Sequence, residues 1–407
     1  MGNEWRDNIW LIFGLAIVTL AVWLLGLNMW TQISGYLEPR GFDPENVFFA
    51  EFKTIPSESP EHSDYGEEEN ALLLRDRIAL LQRIRESKYV EAVGIGNNAL
   101  PYNFGYYGMQ LERRDVPDDS VGFGGNLRIM TPQMAIVLRL NSHEGKTPEQ
   151  LAAMLAKGNV LIGAGSYSED AGLKIEDLKG HTLAFYGDST RTFRLGSVID
   201  GIKRSDYEPN WSGTLVIPAD EMTHLGLSQV AIRVKPGCGA KFKEEFLSTP
   251  EMRRHVNLYI SGLTPLTYAG ISVNNSSAIK IRSTVLIMVV VILIVIIGLL
   301  GTFWFRVHQR TKEIAIRKVC GATASDISRR IIGEGLILVL ISTLLAAAIG
   351  WPLLKGPLAM DGFLTNSLLI LFEAITAIIL AAGITLSIWY PARRAMSIEP
   401  AIAIKDE

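Results

Sequence analysis

Four long apolar runs divide the chain, and each is long enough to cross a membrane as a helix. A hydrocarbon core of about 30 Å requires about 20 apolar residues at the helical rise of 1.5 Å per residue. The first run has 22 residues without a charge, and the second has 23. The predicted spans are residues 9–30, 283–305, 335–354 and 367–390.

The first run has a second interpretation, that of a cleaved signal peptide. Its apolar stretch is longer than the usual ~7–15 residues, and no clean small-x-small cleavage site follows it. We therefore favour a retained membrane helix.

Residues 31–279 contain no comparable apolar run, and their short periodic segments are typical of a water-soluble α/β domain. Residues 70–87 repeat Leu and Ile at helical spacing between charges, which predicts an amphipathic helix. Residues 147–156 predict a second helix, because Thr147 can cap it and Pro148 suits its first position. The other predicted elements are a helix at 238–247 and strands at 89–96, 159–163, 183–186, 213–218 and 229–234. The order of the strands is not readable from the sequence, and residues 252–258 match no single element.

The charges separate the apolar runs from the middle of the chain. Residues 31–279 hold 25 Lys and Arg against 32 Asp and Glu, a net charge of −7, and the remainder holds 14 against 10, a net charge of +4. Residues 306–330 alone carry seven basic residues against two acidic ones. The excess of basic residues predicts that this loop and residues 391–407 lie in the cytoplasm. Lys280 and Arg282 oppose this orientation but are outnumbered.

These locations imply a membrane protein with four α-helical spans and a mixed α/β extracytoplasmic domain inserted between spans 1 and 2. Both termini are expected in the cytoplasm, and the turn at 358–366 is expected outside. The predicted divisions are 1–30 (short N-terminus and first span), 31–282 (outer domain) and 283–407 (three spans, cytoplasmic loop 306–334 and tail 391–407).

Candidate chemistry is sparse along the chain. The sequence contains neither a GxxxxGK[ST] phosphate loop nor an HExxH zinc motif. We interpret the glycine clusters at 122–125 and 163–165 as turns, and the acidic residues around His62 as a solvated loop rather than a metal site. Cys238 and Cys320 are predicted on opposite sides of the membrane and therefore unable to pair. We expect no catalytic, cofactor or metal site, and an enzyme is the least favoured class.

Glu373 is the one carboxylate within the fourth apolar run. A charge at the centre of a membrane helix costs about 2.5–3.5 kcal/mol on insertion scales, so such residues usually face protein or water. Three interpretations stay open. Glu373 is an intramembrane polar contact in a dimer or substrate cleft, a residue near the outer end of its span, or a residue ahead of a span that starts later.

The polar stretch Arg310–Ile332 lies between the second and third apolar runs. Ile314, Ile316, Val319 and Cys320 predict an apolar stripe on a first helix, which Gly321 ends. Thr323 or Ser325 can cap a second helix that has Asp326 in its first turn. A helix, a glycine break and a second helix form a rigid shape. We therefore favour a docking element for a partner over a basic anchor to anionic lipid.

The same stretch resembles a known family. The segment Arg310–Thr323 (RTKEIAIRKVCGAT), the acidic residue Glu334, and the tail motif Pro391–Ala395 (PARRA) with Glu399-Pro400 are similar to the permease subunits of MacB/FtsX-type ABC transporters. Ala315 and Cys320 stand where the family more often has Gly and Leu. The resemblance covers about 100 C-terminal residues, and the outer domain resembles the MacB-like periplasmic core domain only loosely.

The resemblance implies a permease subunit in the bacterial inner membrane that couples ATP hydrolysis by a separate ATPase subunit to movement of its periplasmic domain, for export or extraction of a substrate. The alternative is an FtsX-like regulator that activates a periplasmic partner such as a cell-wall hydrolase. With eight residues ahead of Ile9, the ATPase is expected on another chain.

The implied partners are a cytoplasmic ABC ATPase, a second permease chain (identical or homologous), membrane lipid, and a periplasmic or outer-membrane partner or substrate. No nucleic acid is expected. The resemblance assigns the ATPase-coupling interface to Arg310, Lys312, Glu313, Ile316, Arg317, Gly321, Ala322, Thr323 and Asp326.

Overall fold

Contacts within the chain divide it into two compact units. In the computed structural model, the described residues are 2–103, 105–116, 122–168, 174–208, 213–219, 229–356 and 365–396. One unit is Ile33–Ala278, and the other combines Met1–Gln32 with Ile279–Glu407.

In the described part of Ile33–Ala278, thirteen strands form a single mixed sheet. Their bounds are β1 (Val47–Thr54), β2 (Val90–Asn97), β3 (Gly108–Arg113), β4 (Phe123–Met130), β5 (Val160–Gly163), β6 (Tyr167–Ser168), β7 (Leu183–Phe185), β8 (Asp188–Phe193), β9 (Leu195–Ile199), β10 (Thr214–Pro218), β11 (Gln229–Val234), β12 (Arg254–His255) and β13 (Leu258–Pro265). The main order is β12-β13-β1-β11-β2-β4-β10-β5-β9. Off this path, β3 and β6 pair with β4, and β7 joins β3 to β8. The pairs β4–β10 and β5–β9 are parallel, and the others are antiparallel.

Helices cover both faces of this sheet. Successive residues of a strand point to opposite faces, so one strand contributes side chains to two apolar clusters. Ala231 of β11 joins one apolar cluster, and its neighbours Val230 and Ile232 join another. The first cluster includes helices α3 (Pro132–Leu138) and α4 (Pro148–Ala156), and the second includes α2 (Glu69–Glu86) and α5 (Gly239–Ser248). A further short helix, α6, covers Pro250–Arg253.

The helices predicted at 70–87, 147–156 and 238–247 are confirmed to within a residue or two at their ends. Thr147 accepts a hydrogen bond from the Gln150 N–H as a cap. The five predicted strands are confirmed in the same way. Residues 252–258 divide between the end of α6, β12 and the first residue of β13.

The prediction of a turn at 122–125 is wrong. Residues 123–125 belong to β4, which pairs with β3 on one side and β10 on the other. A Cβ at Gly125 would lie 3.0 Å from the Thr214 backbone nitrogen. The glycine therefore permits a close strand approach, which local sequence does not distinguish from a turn.

The second unit consists of five helices in its described part. They are α1 (Gly2–Leu37), α7 (Leu266–Gln309), α8 (Thr311–Val319), α9 (Ala324–Lys355) and α10 (Asn366–Met396), of which α1 and α7 also contribute residues to Ile33–Ala278. Four helical segments are long and apolar enough to cross a membrane: Ile9–Leu37, Leu266–Gln309, Ser325–Lys355 and Asn366–Trp389. The sheet-rich unit lies between the first and second of these in sequence.

The four long helices share one apolar core in this unit. It includes Leu15 of α1, Phe303 of α7, Val339 of α9 and Ile384 of α10. The Ser342 hydroxyl of α9 donates to the Ile12 carbonyl of α1 over 3.2 Å. Small and hydroxyl-bearing residues of this kind allow close packing between membrane helices.

Helix α7 is much longer than the span predicted at 283–305. Its first turns include Asn274, Asn275, Ser276 and Ser277, which are polar and weak helix formers. The apolar pattern therefore marked only the membrane-compatible part of the helix.

Candidate functional site

The segment between α7 and α9 has the shape that the sequence predicts. Helix α8 ends at Val319, Gly321 adopts a φ of +91°, and α9 begins at Ala324. A positive φ is readily adopted only by glycine, which explains the break at this position.

Thr323 is the cap of α9, and Ser325 lies within that helix. The Thr323 hydroxyl accepts from the Asp326 N–H, and the Asp326 carboxylate accepts from the Thr323 N–H over 3.0 Å. This reciprocal capping box uses two backbone donors that a helix start otherwise leaves unpaired. The beginning of α9 is therefore fixed locally.

The prediction of one apolar stripe on α8 is wrong. Ile314 and Ala315 are buried, and Ile314 packs with Val307 of α7 and Ile327 of α9. Ile316 and Val319 face outward and are 57% and 68% exposed. Residues 314 and 316 are two positions apart, about 200° around a helix, so they point in nearly opposite directions.

Cys320 is also exposed and lies next to the outward face of Ile316 and Val319. We call Ile316, Val319 and Cys320 the outer face of α8. Two large apolar side chains thus remain uncovered on a short helix with charged neighbours.

Three ion pairs lie in the described part of this segment, one between its elements and two along single helices. Arg310, between α7 and α8, donates to the Glu334 carboxylate of α9 over 2.7 Å. Arg330 lies 3.6 Å from the same carboxylate, one helical turn away. On α8, Arg317 donates to Glu313 over 2.8 Å. Glu334, the acidic residue of the family resemblance, therefore contacts the residue immediately before α8.

A cavity of about 260 Å³ lies between the end of α7, α8 and the start of α9. Its apolar wall consists of Phe303, Val307, Ile314, Ala322, Ile327, Ile331 and Leu338, and its charged residues are Arg310, Glu313, Arg317, Asp326, Arg330 and Glu334. The cavity can therefore bind an apolar side chain against its apolar wall, with the charged residues around it.

Eight of the nine predicted coupling residues divide into three groups. Arg310, Glu313, Arg317, Ala322 and Asp326 line the cavity. Ile316 belongs to the outer face, and Gly321 and Thr323 shape the turn. The side chain of Lys312 lies outside the described residues, as do the side chains of Pro391–Ala395, all of 397–407, and residues 358–364 of the outer turn predicted at 358–366.

Sequence reasoning missed the apolar wall of the cavity. Ile327 and Ile331 stand four positions apart and hence on one face of α9, a spacing that is visible in the sequence. Phe303 and Val307 have the same spacing at the end of α7.

Glu373 of α10 has a partner within the chain. The Trp351 Nε1 donates to its carboxylate over 3.4 Å, and the Lys355 ammonium lies 5.1 Å from the Trp351 ring centroid. Lys355 is the last residue of α9. An intramembrane functional role for Glu373 stays a prediction.

Within the described residues, no group of three or more His, Cys, Asp and Glu is placed to hold a metal ion. His62 instead contacts the Ile55 carbonyl through Nδ1 over 3.0 Å. Cys238 and Cys320 are both free.

Residues 285–400 match the family model of FtsX-like permease C-terminal domains. The matched region includes α8, its outer face, the residues that line the cavity, the part of α7 from residue 285 onward, and the last two candidate spans. It supports an ABC transporter permease of the FtsX/MacB type, a multi-pass membrane component that works with an ATPase partner. No curated protein matches the chain.

Proposed function

We propose that this chain is the permease subunit of an ABC complex that couples ATP hydrolysis by a separate ATPase to movement of the unit Ile33–Ala278. This movement drives export or extraction of a substrate by mechanotransmission. The observation that carries the proposal is the outer face of α8, an uncovered apolar surface on a helix of fixed orientation.

The fixed orientation has three causes. Buried Ile314 packs α8 against its neighbours, Gly321 provides the turn, and Arg310 pairs with Glu334 of α9. A helix held in this way transmits a push from a bound partner to α7 and α9, whereas a flexible loop dissipates it. Both neighbours carry candidate membrane spans.

The outer face suits the docking of a helix into a protein groove. Ile316 and Val319 are three positions apart and form one apolar patch, with Glu313 and Arg317 beside it. The positive-inside pattern of residues 306–330 favours a cytoplasmic location for this patch, where an ATPase subunit is available. We propose that the groove belongs to this ATPase and that a second permease chain forms the other half of the complex.

The test replaces both apolar residues of the outer face, Ile316→Asp with Val319→Asp, in the full chain expressed with its ATPase. Both side chains would become buried against the ATPase, and the loss of each is worth about 1.5–3 kcal/mol, which predicts at least about 100-fold weaker association. Co-purification and stimulated ATP hydrolysis measure the effect, and Cys320→Ser on the same face is the matched control.

Membrane insertion should be the same in the double variant and in the control, because the side chains of Ile316, Val319 and Cys320 do not pack inside the unit. If the double variant retains wild-type co-purification and hydrolysis, α8 is not the coupling helix.

A further inference from the structure

The 200–208 loop, between β9 and β10, is fixed to the sheet by a buried cation. Arg128 of β4 is 1% exposed, and its Nη2 donates to the Ile202 carbonyl over 2.6 Å. Its Nη1 donates to the carbonyls of Asn98 and Leu100. Burial lowers the pKa of Arg128 to about 10. A buried guanidinium needs all these acceptors, so this attachment is costly to break.

A second hydrogen bond connects the same loop residue to the next strand. The Ile202 N–H donates to the Thr214 hydroxyl of β10 over 3.1 Å. The backbone of Ile202 is therefore bound to two adjacent strands, which makes the start of the loop part of the sheet.

The next residue holds the end of α1. Lys203 is 3% exposed, and its Nζ donates to the carbonyls of Gly35 and Glu38, the latter over 3.1 Å. The last carbonyls of a helix lack partners within the helix and attract cations. Burial lowers the pKa of Lys203, and the carboxylate of Glu38, 3.8 Å away, opposes this shift. Lys203 is thus a buried cap on α1.

Asp206, three residues later, holds the first turns of α7. The Asn274 Nδ2 donates to the Asp206 carboxylate over 2.7 Å. In return, Asn274 Oδ1 accepts from the Asp206 N–H over 2.9 Å and from the Ser205 hydroxyl over 3.1 Å. One amide side chain of α7 therefore makes three hydrogen bonds to the loop.

Two aromatic contacts reinforce both attachments. The rings of Tyr36 and Tyr207 stack with centroids 5.4 Å apart. The Tyr102 hydroxyl donates to Asp206 over 2.9 Å, and its ring lies against Gly270 of α7, where a Cβ would approach to 2.9 Å. Neither helix can shift here without breaking contacts to the loop.

We infer that the 200–208 loop is a joint that transfers displacement of α1 and α7 to the sheet, in addition to the direct chain connection from β13 to α7, with Lys203, Asp206 and Asn274 as positioning residues. The inference rests on the proposed function, since it names the residues through which the coupled movement passes. Three successive parts of one loop contact three different elements: Ile202 contacts the sheet, Lys203 contacts α1, and Asp206 contacts α7. A loop that merely connects two strands needs none of the side-chain contacts to the helices.

The experiment compares Asn274→Leu with Asn275→Leu in the full chain bound to its co-purified ATPase. Asn275 is an exposed neighbour on the same helix and serves as the matched control. Hydrogen–deuterium exchange of residues 33–278 is measured with and without ATP, together with the rate of ATP hydrolysis. We expect Asn274→Leu to keep the hydrolysis rate and to reduce the ATP-dependent change in exchange clearly below that of the wild type, because the hydrogen bonds that hold α7 to the loop are lost. Asn275→Leu should behave as wild type.

A second pair of variants distinguishes loss of the contact to α1 from a general structural effect. Lys203→Met removes the donor that caps α1, and Lys203→Arg keeps a cation there. The arginine variant should recover at least half of the ATP-dependent change that the methionine variant loses. If Lys203→Met fails to fold, the Asn274 comparison alone decides.

The outcomes separate the two hypotheses. A wild-type complex without any ATP-dependent change in residues 33–278 overturns the proposed function itself. A normal wild-type response that Asn274→Leu also shows overturns only the role of the loop.

Discussion

Gly321 is the residue that gives the segment between α7 and α9 its shape. Its φ of +91° lies where side-chain-bearing residues are strained, yet a Cβ at this position would meet no atom within 4 Å. The requirement for glycine is therefore one of backbone conformation and not of space.

A comparison with Gly333 tests this requirement. Gly321→Ala should cost about 1–2 kcal/mol of local stability, because the left-handed conformation is unfavourable for alanine. Gly333→Ala, in the interior of α9 with open space around its Cβ, should instead gain about 0.5–1 kcal/mol. Hydrogen–deuterium exchange of residues 311–330 measures both effects, and ATP hydrolysis with the ATPase present should fall only for Gly321→Ala. Equal behaviour of the two variants would contradict this account.

At the scale of elements, short polar clusters fix the connections between the helices and strands of the sheet-rich unit. Glu144, in the connection between α3 and α4, accepts from the Lys179 ammonium over 2.6 Å and from the Ser197 hydroxyl of β9 over 2.9 Å. Lys146 is a further partner of the same carboxylate. Hydrogen bonds from Lys146 and then Lys179 lower the pKa of Glu144 to about 2.

This shift predicts a pH dependence of stability. A carboxylate whose pKa is lower in the folded state stabilises the fold above its unfolded pKa, and this contribution is lost as the pH falls through the folded value. The contribution of Glu144 to stability should therefore be complete above about pH 5. It should be lost progressively as the pH falls from 4.5 to about 2. Glu144→Gln should lower the unfolding temperature at pH 7 and have little effect near pH 2.

Differential scanning calorimetry of the full chain across this range measures the difference. Lys179→Met serves as the matched variant, since it removes one of the two lysine partners of Glu144 and should give a smaller effect with the same pH profile. A destabilisation by Glu144→Gln that does not change with pH would refute the assignment.

At the scale of the whole molecule, the two cysteines of the chain report its orientation in the membrane. Cys238 precedes α5 in the sheet-rich unit, and Cys320 belongs to the outer face of α8. The predicted topology assigns them to opposite sides of the membrane.

Labelling with a membrane-impermeant maleimide tests that topology. In intact spheroplasts, Cys238 should react and Cys320 should stay protected, and Cys320 should react after permeabilisation. The single variants Cys238→Ser and Cys320→Ser identify which thiol carries the label. Labelling of Cys320 before permeabilisation would invert the orientation and remove α8 from contact with a cytoplasmic ATPase.

Local patterns were sufficient for much of this protein. The four apolar runs, the helices at 70–87 and 147–156, and the helix–glycine–helix shape around Gly321 depend on residues close together in sequence. Periodicity, capping and backbone strain act over a few residues, so one sequence is enough to predict them. The same holds for the residues Arg310–Thr323, which carry the family resemblance.

Only the tertiary structure decided which side of each element is covered. It divided the isoleucines of α8 between a buried face and an exposed one, and it assigned the glycines of β4 to a strand. It also brought Lys203 to the end of α1, about 165 residues earlier in the sequence. In the same way, it brought Asp206 to the first turns of α7, 68 residues later. Such contacts depend on which segments meet in space. Hydrophobic periodicity shows that an element has a face to bury, but it does not specify the partner that covers this face.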